Sequence, residues 1–211
     1  MLQLCVQKDH ILGLRDDVAS VLPARPDLFI VEELYTELEK EQKMSQVTQP
    51  LRDEHKELLP HIKQIRTVAD SVGTVSVLSL QQSVGEIYEF LTHHLLIHAQ
   101  AEERVLYPVV GKLMGATEAI ATMRRDHVEI SRLTEELGAL LAEVRGEKLA
   151  VVQEQALRRV LYGLSALVIV HFAKEEEVYL PLLDARLTPE EARHLFETME
   201  RAAGEARSVL R

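Results

Sequence analysis

Two stretches of this chain carry the same arrangement of groups able to bind metal. Residues 97–110 read Ile-His-Ala-Gln-Ala-Glu-Glu-Arg-Val-Leu-Tyr-Pro-Val-Val, and residues 170–183 read Val-His-Phe-Ala-Lys-Glu-Glu-Glu-Val-Tyr-Leu-Pro-Leu-Leu. Each places a His, a carboxylate pair four and five residues on, and a Pro ten residues on. Each is preceded by another His: His55 comes 43 residues before His98, and His127 comes 44 before His171. Side chains four apart on a helix share a face, with Cβ atoms about 5–6 Å apart. His98 and Glu102 therefore reach one centre, and His171 and Glu175 do the same. Glu103 and Glu176 stand about 140° round the helix from those His residues. They are expected outside the site, as surface groups or as groups supporting the ligands. An uncompensated carboxylate inside a helical bundle is costly; two of them bracketed by four His make sense with cations between them. Imidazole and carboxylate donors together suit iron, manganese or zinc, and a carboxylate from each of two facing helices can bridge two ions. His94, four before His98 on the same face, is a further candidate ligand. His61 and His93 fall off their ligand faces, and His10 and His194 lie outside the repeat.

The elements that must position these groups are helices. Apolar residues recur at three-and-four spacing in four windows. Helix A is expected over about 51–72 (Leu51, His55, Leu58, Ile62, Ile65), and helix B over about 79–113 (Ile87, Leu91, His94, His98, Glu102, Val105), breaking near Pro108. Helix C is expected over about 117–144 (Met123, His127, Ile130, Leu137) and helix D over about 148–184 (Leu157, Leu164, His171, Glu175). Thr188-Pro189-Glu190-Glu191 starts a fifth helix running to about 209, with a capping Thr and Pro at the first helical position. Helix D carries a second apolar strip, Tyr162, Ala166, Ile169, Ala173 and Leu180, to be covered by the C-terminal helix, by the N-terminal segment or by a second subunit. Residues 1–43 contain no part of the repeat. They read as an N-terminal helical extension or as sequence upstream of an alternative start at Met44. The domain reading is thus 1–43, a bundle over 44–187, and a C-terminal helix over 188–211.

Bulk properties narrow the function. Of 211 residues, 46% are apolar, so one sizeable core is expected. A net charge of −10 argues against a nucleic-acid backbone or an anionic membrane as partner. Cys5 is the sole cysteine, which excludes thiolate-rich metal sites and a disulfide framework and suits the cytoplasm. The longest uncharged stretch, Val160–Ala173, is shorter than the roughly 18–20 residues of a membrane span. The Glu-x-x-His pairing of ferritin-type sites occurs only at Glu191 and His194, outside the bundle. The zinc-protease pattern His-Glu-x-x-His is absent.

With Leu51-Arg-Asp-Glu-His55, His98-x-x-x-Glu102-Glu103 followed by Leu-Tyr-Pro108, Arg125-Asp-His127 and His171-x-x-x-Glu175-Glu176, the chain resembles the hemerythrin-like (HHE cation-binding) family over about residues 50–185. The resemblance implies an all-α, up-down-up-down four-helix bundle around a non-haem di-iron centre, with manganese or zinc as other occupants. It implies that Glu102 and Glu175 bridge, with His55 and His98 serving one ion and His127 and His171 the other. Oxygen carriers of the family have a second His one turn along helix C; here that position is Ser131. One ion is thereby expected to lack a protein donor and to hold an exchangeable ligand. The functions that follow are binding or sensing of oxygen or nitric oxide, turnover of peroxide or nitric oxide, or labile storage of iron. A different class is an interaction or regulatory protein in which the metal is structural and the outer face of helix D joins a partner or a second copy.

Overall fold

The computed structural model of the chain describes residues 46–209. The readings of residues 1–43, including Cys5 and His10, lie outside the described residues. Five helices account for nearly all of the described chain: α1 (Gln49–Ser71), α2 (residues 77–114), α3 (Ala121–Glu143), α4 (Val151–Arg186) and α5 (Pro189–Val209). A short 3-10 turn, Thr117–Ile120, leads into α3 where an unbroken helix is expected.

Local chemistry sets the ends. The Ser76 side chain accepts from the Ser79 N–H at 3.1 Å and starts α2. Gly115, at φ 67°, closes α2 in the left-handed conformation that a Cβ disfavours. At α5 the Thr188 hydroxyl accepts from the Glu191 N–H at 3.3 Å, and the Glu191 carboxylate accepts from the Thr188 N–H at 2.9 Å. That reciprocal pair is the capping box of the Thr-Pro-Glu-Glu sequence.

α2 and α4 are not uniform. Three five-residue turns, Leu91–Leu95, Glu102–Leu106 and Glu175–Tyr179, are π-helical, with an extra residue per turn. Two of them begin at a repeat glutamate and end two residues before a Pro. A Pro inside a regular helix clashes with the carbonyl four residues back and donates no hydrogen bond. The wider turn accommodates both defects, so α2 runs through Pro108 instead of breaking there, and α4 runs through Pro181.

α1 packs along α4 and the start of α2; α3 packs on α4 and α2; α5 lies against the middle of α2, at Leu96–Leu106. The C-terminal helix does not cover the outer strip of α4 at Tyr162 and Ile169, which are exposed, as is Val170; Leu180 of the expected strip is buried, in the same apolar cluster as Leu195 and Met199 of α5. α4 is long and apolar enough by composition to cross a membrane, but it buries His171 and Glu175 against the other helices.

The apolar core is in two parts. One contains Leu58, Ile62, Leu95, Ile130, Leu164, Val168 and Phe172; the other contains Leu51, Ala101, Leu106, Met123, Tyr179 and Leu180. On α1 the boundary falls between Leu51 and Leu58, on α2 between Leu95 and Ala101, on α3 between Met123 and Ile130, and on α4 between Phe172 and Tyr179. His55, His98, His127 and Glu175 stand in those intervals, with Glu102 and His171 at the edges. The polar residues of the repeat form a layer between two apolar ones.

Candidate metal centre

All six repeat residues are buried: His55, His98, His127 and His171 are at most 5% exposed, and Glu102 and Glu175 are fully enclosed. Their donor atoms form two groups, each within 4.8 Å. His55, His98, Glu102 and Glu175 make one; Glu102, His127 and His171 make the other. The carboxylates divide their oxygens between the groups. Glu102 Oε1 lies 3.0 Å from His98 Nε2, while its Oε2 lies 3.4 Å from His127 Nε2 and 3.9 Å from His171 Nε2. Glu175 Oε2 lies 3.4 Å from His55 Nε2, while its Oε1 lies 3.5 Å from His171 Nε2.

Each imidazole is oriented from behind by a carboxylate on another helix. His55 Nδ1 donates to Glu176 at 2.8 Å, His127 Nδ1 to Glu103 at 3.1 Å and His171 Nδ1 to Asp126 at 3.2 Å; His98 Nδ1 lies 3.1 Å from Glu54. A carboxylate at Nδ1 fixes the tautomer that turns the Nε2 lone pair inward. Arg52 secures Glu176 and also bonds Asp184 at 3.2 Å, and Lys174 secures Asp126. The rotation argument thus places Glu103 and Glu176 off the ligand face, and the structure puts them behind His residues of the neighbouring helices. Glu54 and Asp126 had gone unassigned. The signal was an acid immediately before the His of α1 and again before the His of α3.

The inward-facing atoms lack partners. Among the described residues, the buried side-chain polar atoms with no hydrogen bond are His55 Nε2, His98 Nε2, both oxygens of Glu102 and Glu175 Oε2, all in this cluster. Leaving such an atom unsatisfied costs about 1–3 kcal/mol, more if charged. His127 Nε2 and His171 Nε2 also face each other at 2.9 Å, both with Nδ1 committed as donor. A cation between these atoms removes both difficulties, so the donor set fits a metal.

Charge is unevenly held in the cluster. Burial, and then the charge of Glu102, push Glu175 up to about 8. Burial opposes charge on Glu102, yet the facing His98 holds it well below the usual carboxylate range. Burial likewise opposes a charged His98, but Glu102 raises it well above an ordinary imidazole. Burial, then His98, lowers His55.

Tyr107 is the site residue that sequence reasoning missed. Its side chain is wholly buried, and its hydroxyl donates to Glu175 Oε1 at 2.9 Å, with His127 Nε2 at 3.3 Å and His171 Nε2 at 3.4 Å. Burial and the two carboxylates push its phenol far up, a preference that only a nearby cation reverses. Five residues beyond Glu102, it would face away on a regular helix; the π turn at Glu102–Leu106 brings it round. Tyr179 donates instead to the Ala119 carbonyl at 3.0 Å.

His94 is a correction. The π turn at Leu91–Leu95 contains it, so four residues no longer return the chain to the face of His98. It is exposed and stacks on Phe90. With His61 and His93 it lines a surface cavity of about 700 Å³. Ser131, one turn beyond His127, is half-buried.

The sequence model of the hemerythrin HHE cation binding domain matches residues 46–183, which include every residue of this cluster. No curated protein and no solved structure matches the chain.

Proposed function

Since the chain belongs to the hemerythrin HHE cation-binding domain family, we propose that it holds two iron ions in this cluster and binds or transforms a small ligand there. The observation that carries the reading is the division of both carboxylates. Each of Glu102 and Glu175 offers one oxygen towards the His55–His98 pair and the other towards the His127–His171 pair. A single-ion site has no use for that arrangement; two ions bridged by two carboxylates use all four oxygens. The helices then run up-down-up-down, as in family bundles, with the cytoplasm as the compartment. Iron supplies the redox and ligand-binding chemistry for oxygen, peroxide or nitric oxide. The chain's own residues fix the imidazoles through Nδ1, enclose the centre between two apolar layers and exclude bulk water. Manganese and zinc satisfy the same donors.

Metal analysis of aerobically purified protein tests this, with an optical spectrum before and after azide. Iron at close to a two-to-one ratio to chain, with charge-transfer absorption that azide perturbs, is the expected result. One zinc or no metal, with a featureless spectrum unmoved by iron reconstitution, overturns it. The exposed apolar strip of α4 favours an additional role in self-association. Sedimentation of the full chain against Ile169→Glu checks it, a dimer lost in the variant being the expected result.

A further inference from the structure

We propose that Tyr107 is a metal ligand: its oxygen binds, as phenolate, the ion held by His127 and His171, making the two metal positions chemically unlike. This rests on the two-ion reading above.

Distances carry the first part of the argument. Two donors each about 2.1 Å from a common ion stand about 3.0 Å apart at a right angle and about 3.4 Å apart at the tetrahedral angle. The Tyr107 oxygen lies 2.9 Å from Glu175 Oε1, 3.3 Å from His127 Nε2 and 3.4 Å from His171 Nε2. His127 Nε2 lies 2.9 Å from His171 Nε2 and 3.4 Å from Glu102 Oε2. These are the separations of neighbours around one ion.

Hydrogen bonding alone does not account for the convergence. Both imidazoles spend their N–H on Glu103 and Asp126, so their Nε2 atoms arrive as lone pairs. The phenol has one proton, and it is directed to Glu175. Two nitrogen lone pairs then face the phenol oxygen with no proton left between them. A cation at that point turns the repulsions into bonds. As the metal–oxygen bond forms, the O–H bond breaks and its proton leaves to solvent, so charge and atoms balance without any redox partner.

The repeat shows that the feature is one-sided. Both repeat glutamates open a π turn, which brings the fifth residue beyond the glutamate onto the ligand side. In the first copy that residue is Tyr107; in the second it is Leu180, fully buried in the apolar layer. The His55–His98 position gains no such oxygen. Ser131 occupies the place where the family's oxygen carriers have a further imidazole, and the phenolate comes to the same ion from α2.

The test is iron(III) loading of the full chain, followed by visible absorption and resonance Raman spectroscopy. The expected result is a phenolate-to-iron charge-transfer band with enhanced tyrosine ring modes, which shift when the protein is grown on ring-deuterated tyrosine. Tyr107→Phe is expected to keep the iron-to-chain ratio and lose the band, and Tyr179→Phe to keep both. Iron bound at the expected ratio without phenolate modes in the unsubstituted protein overturns the proposal and leaves the two-ion reading standing. So does a band that survives in Tyr107→Phe. Failure to take up iron at all overturns both. The isotope shift is read on the unsubstituted chain, so the outcome does not depend on the variant folding.

Discussion

The four carboxylates behind the imidazoles are not equally protected from water, and metal affinity should follow that difference. Asp126 is 14% exposed, Glu176 32%, Glu103 40% and Glu54 46%. Replacing each by Ala leaves one imidazole Nδ1–H without its carboxylate. A hydrogen bond to a charged group contributes about 1.5–3 kcal/mol when sheltered, and about 1.4 kcal/mol is tenfold in affinity. Asp126→Ala should therefore weaken metal binding about 10- to 100-fold, in line with the usual effect of removing such a partner. Glu54 is half in water, where an exposed ionic contact contributes about 1 kcal/mol or less. Glu54→Ala should then cost about fivefold or less. Glu176 is less exposed than Glu103 and is also paired with Arg52, so its variant should fall nearer that of Asp126. The assay is competition for cobalt(II) against a chelator of known affinity, at fixed pH and ionic strength, with helicity checked for each variant. Equal losses at Asp126 and Glu54, or a loss at Asp126 below about twofold, would refute the idea that these carboxylates act by fixing the imidazoles in a sheltered site.

His94→Ala should leave metal stoichiometry unchanged, as measured by elemental analysis, because His94 is on the surface; loss of one ion would show that the outer ring reaches the centre. The metal-free protein should melt at progressively lower temperature as pH rises from about 6.5 to 8. Glu175, raised to about 8, and His98, also raised, both bind protons more tightly folded than unfolded, so their contributions shrink as they deprotonate. His55, lowered, opposes them only below that window, where the unfolded imidazole still binds a proton, and Glu102, depressed, is ionised in both states throughout it; a melting temperature that climbs with pH over this range in calorimetry would contradict the assignment. Gly138→Ala should lower the melting temperature by about 2–4 °C, a net loss of about 1 kcal/mol. The new Cβ would stand 2.7 Å from the Tyr88 ring, and this crowding outweighs the gain in helix propensity; a rise in melting temperature would show that Tyr88 moves aside freely.

The sequence showed the helices and the six repeat residues that the structure brings together because both follow one rule, the near-constant rotation of about 100° per residue. Leu58, Ile62 and Ile65 mark the buried face of α1 by that rule, and it puts His98 with Glu102 and His171 with Glu175. The same rule failed at His94 and Tyr107 for a single cause. Each is linked to the ligand face through a π turn, where the rotation per residue is smaller. His94 therefore turns off the face that a four-residue step predicts, and Tyr107 turns onto a face that a five-residue step denies. No residue type announces a π turn; the Pro that follows two of them was readable but suggested a break. The partners behind the imidazoles were half legible. Local rotation shows that Glu103 and Glu176 leave their own ligand face, but which neighbouring helix they then meet depends on packing.

The ring of supports also fixes when the centre can come into being. His55 depends on Glu176, 121 residues later in the chain, and the start of its helix depends on Asp184, 136 residues from Thr48. During synthesis at about 5–20 residues per second, His55 waits about 6–24 s for that partner to be made. Throughout that interval the nascent helices offer isolated imidazoles and carboxylates but no enclosed set, so a metal ion meets only weak and transient sites. The last part of α4 completes the set, so tight binding of a metal there would have to follow the synthesis of Glu176.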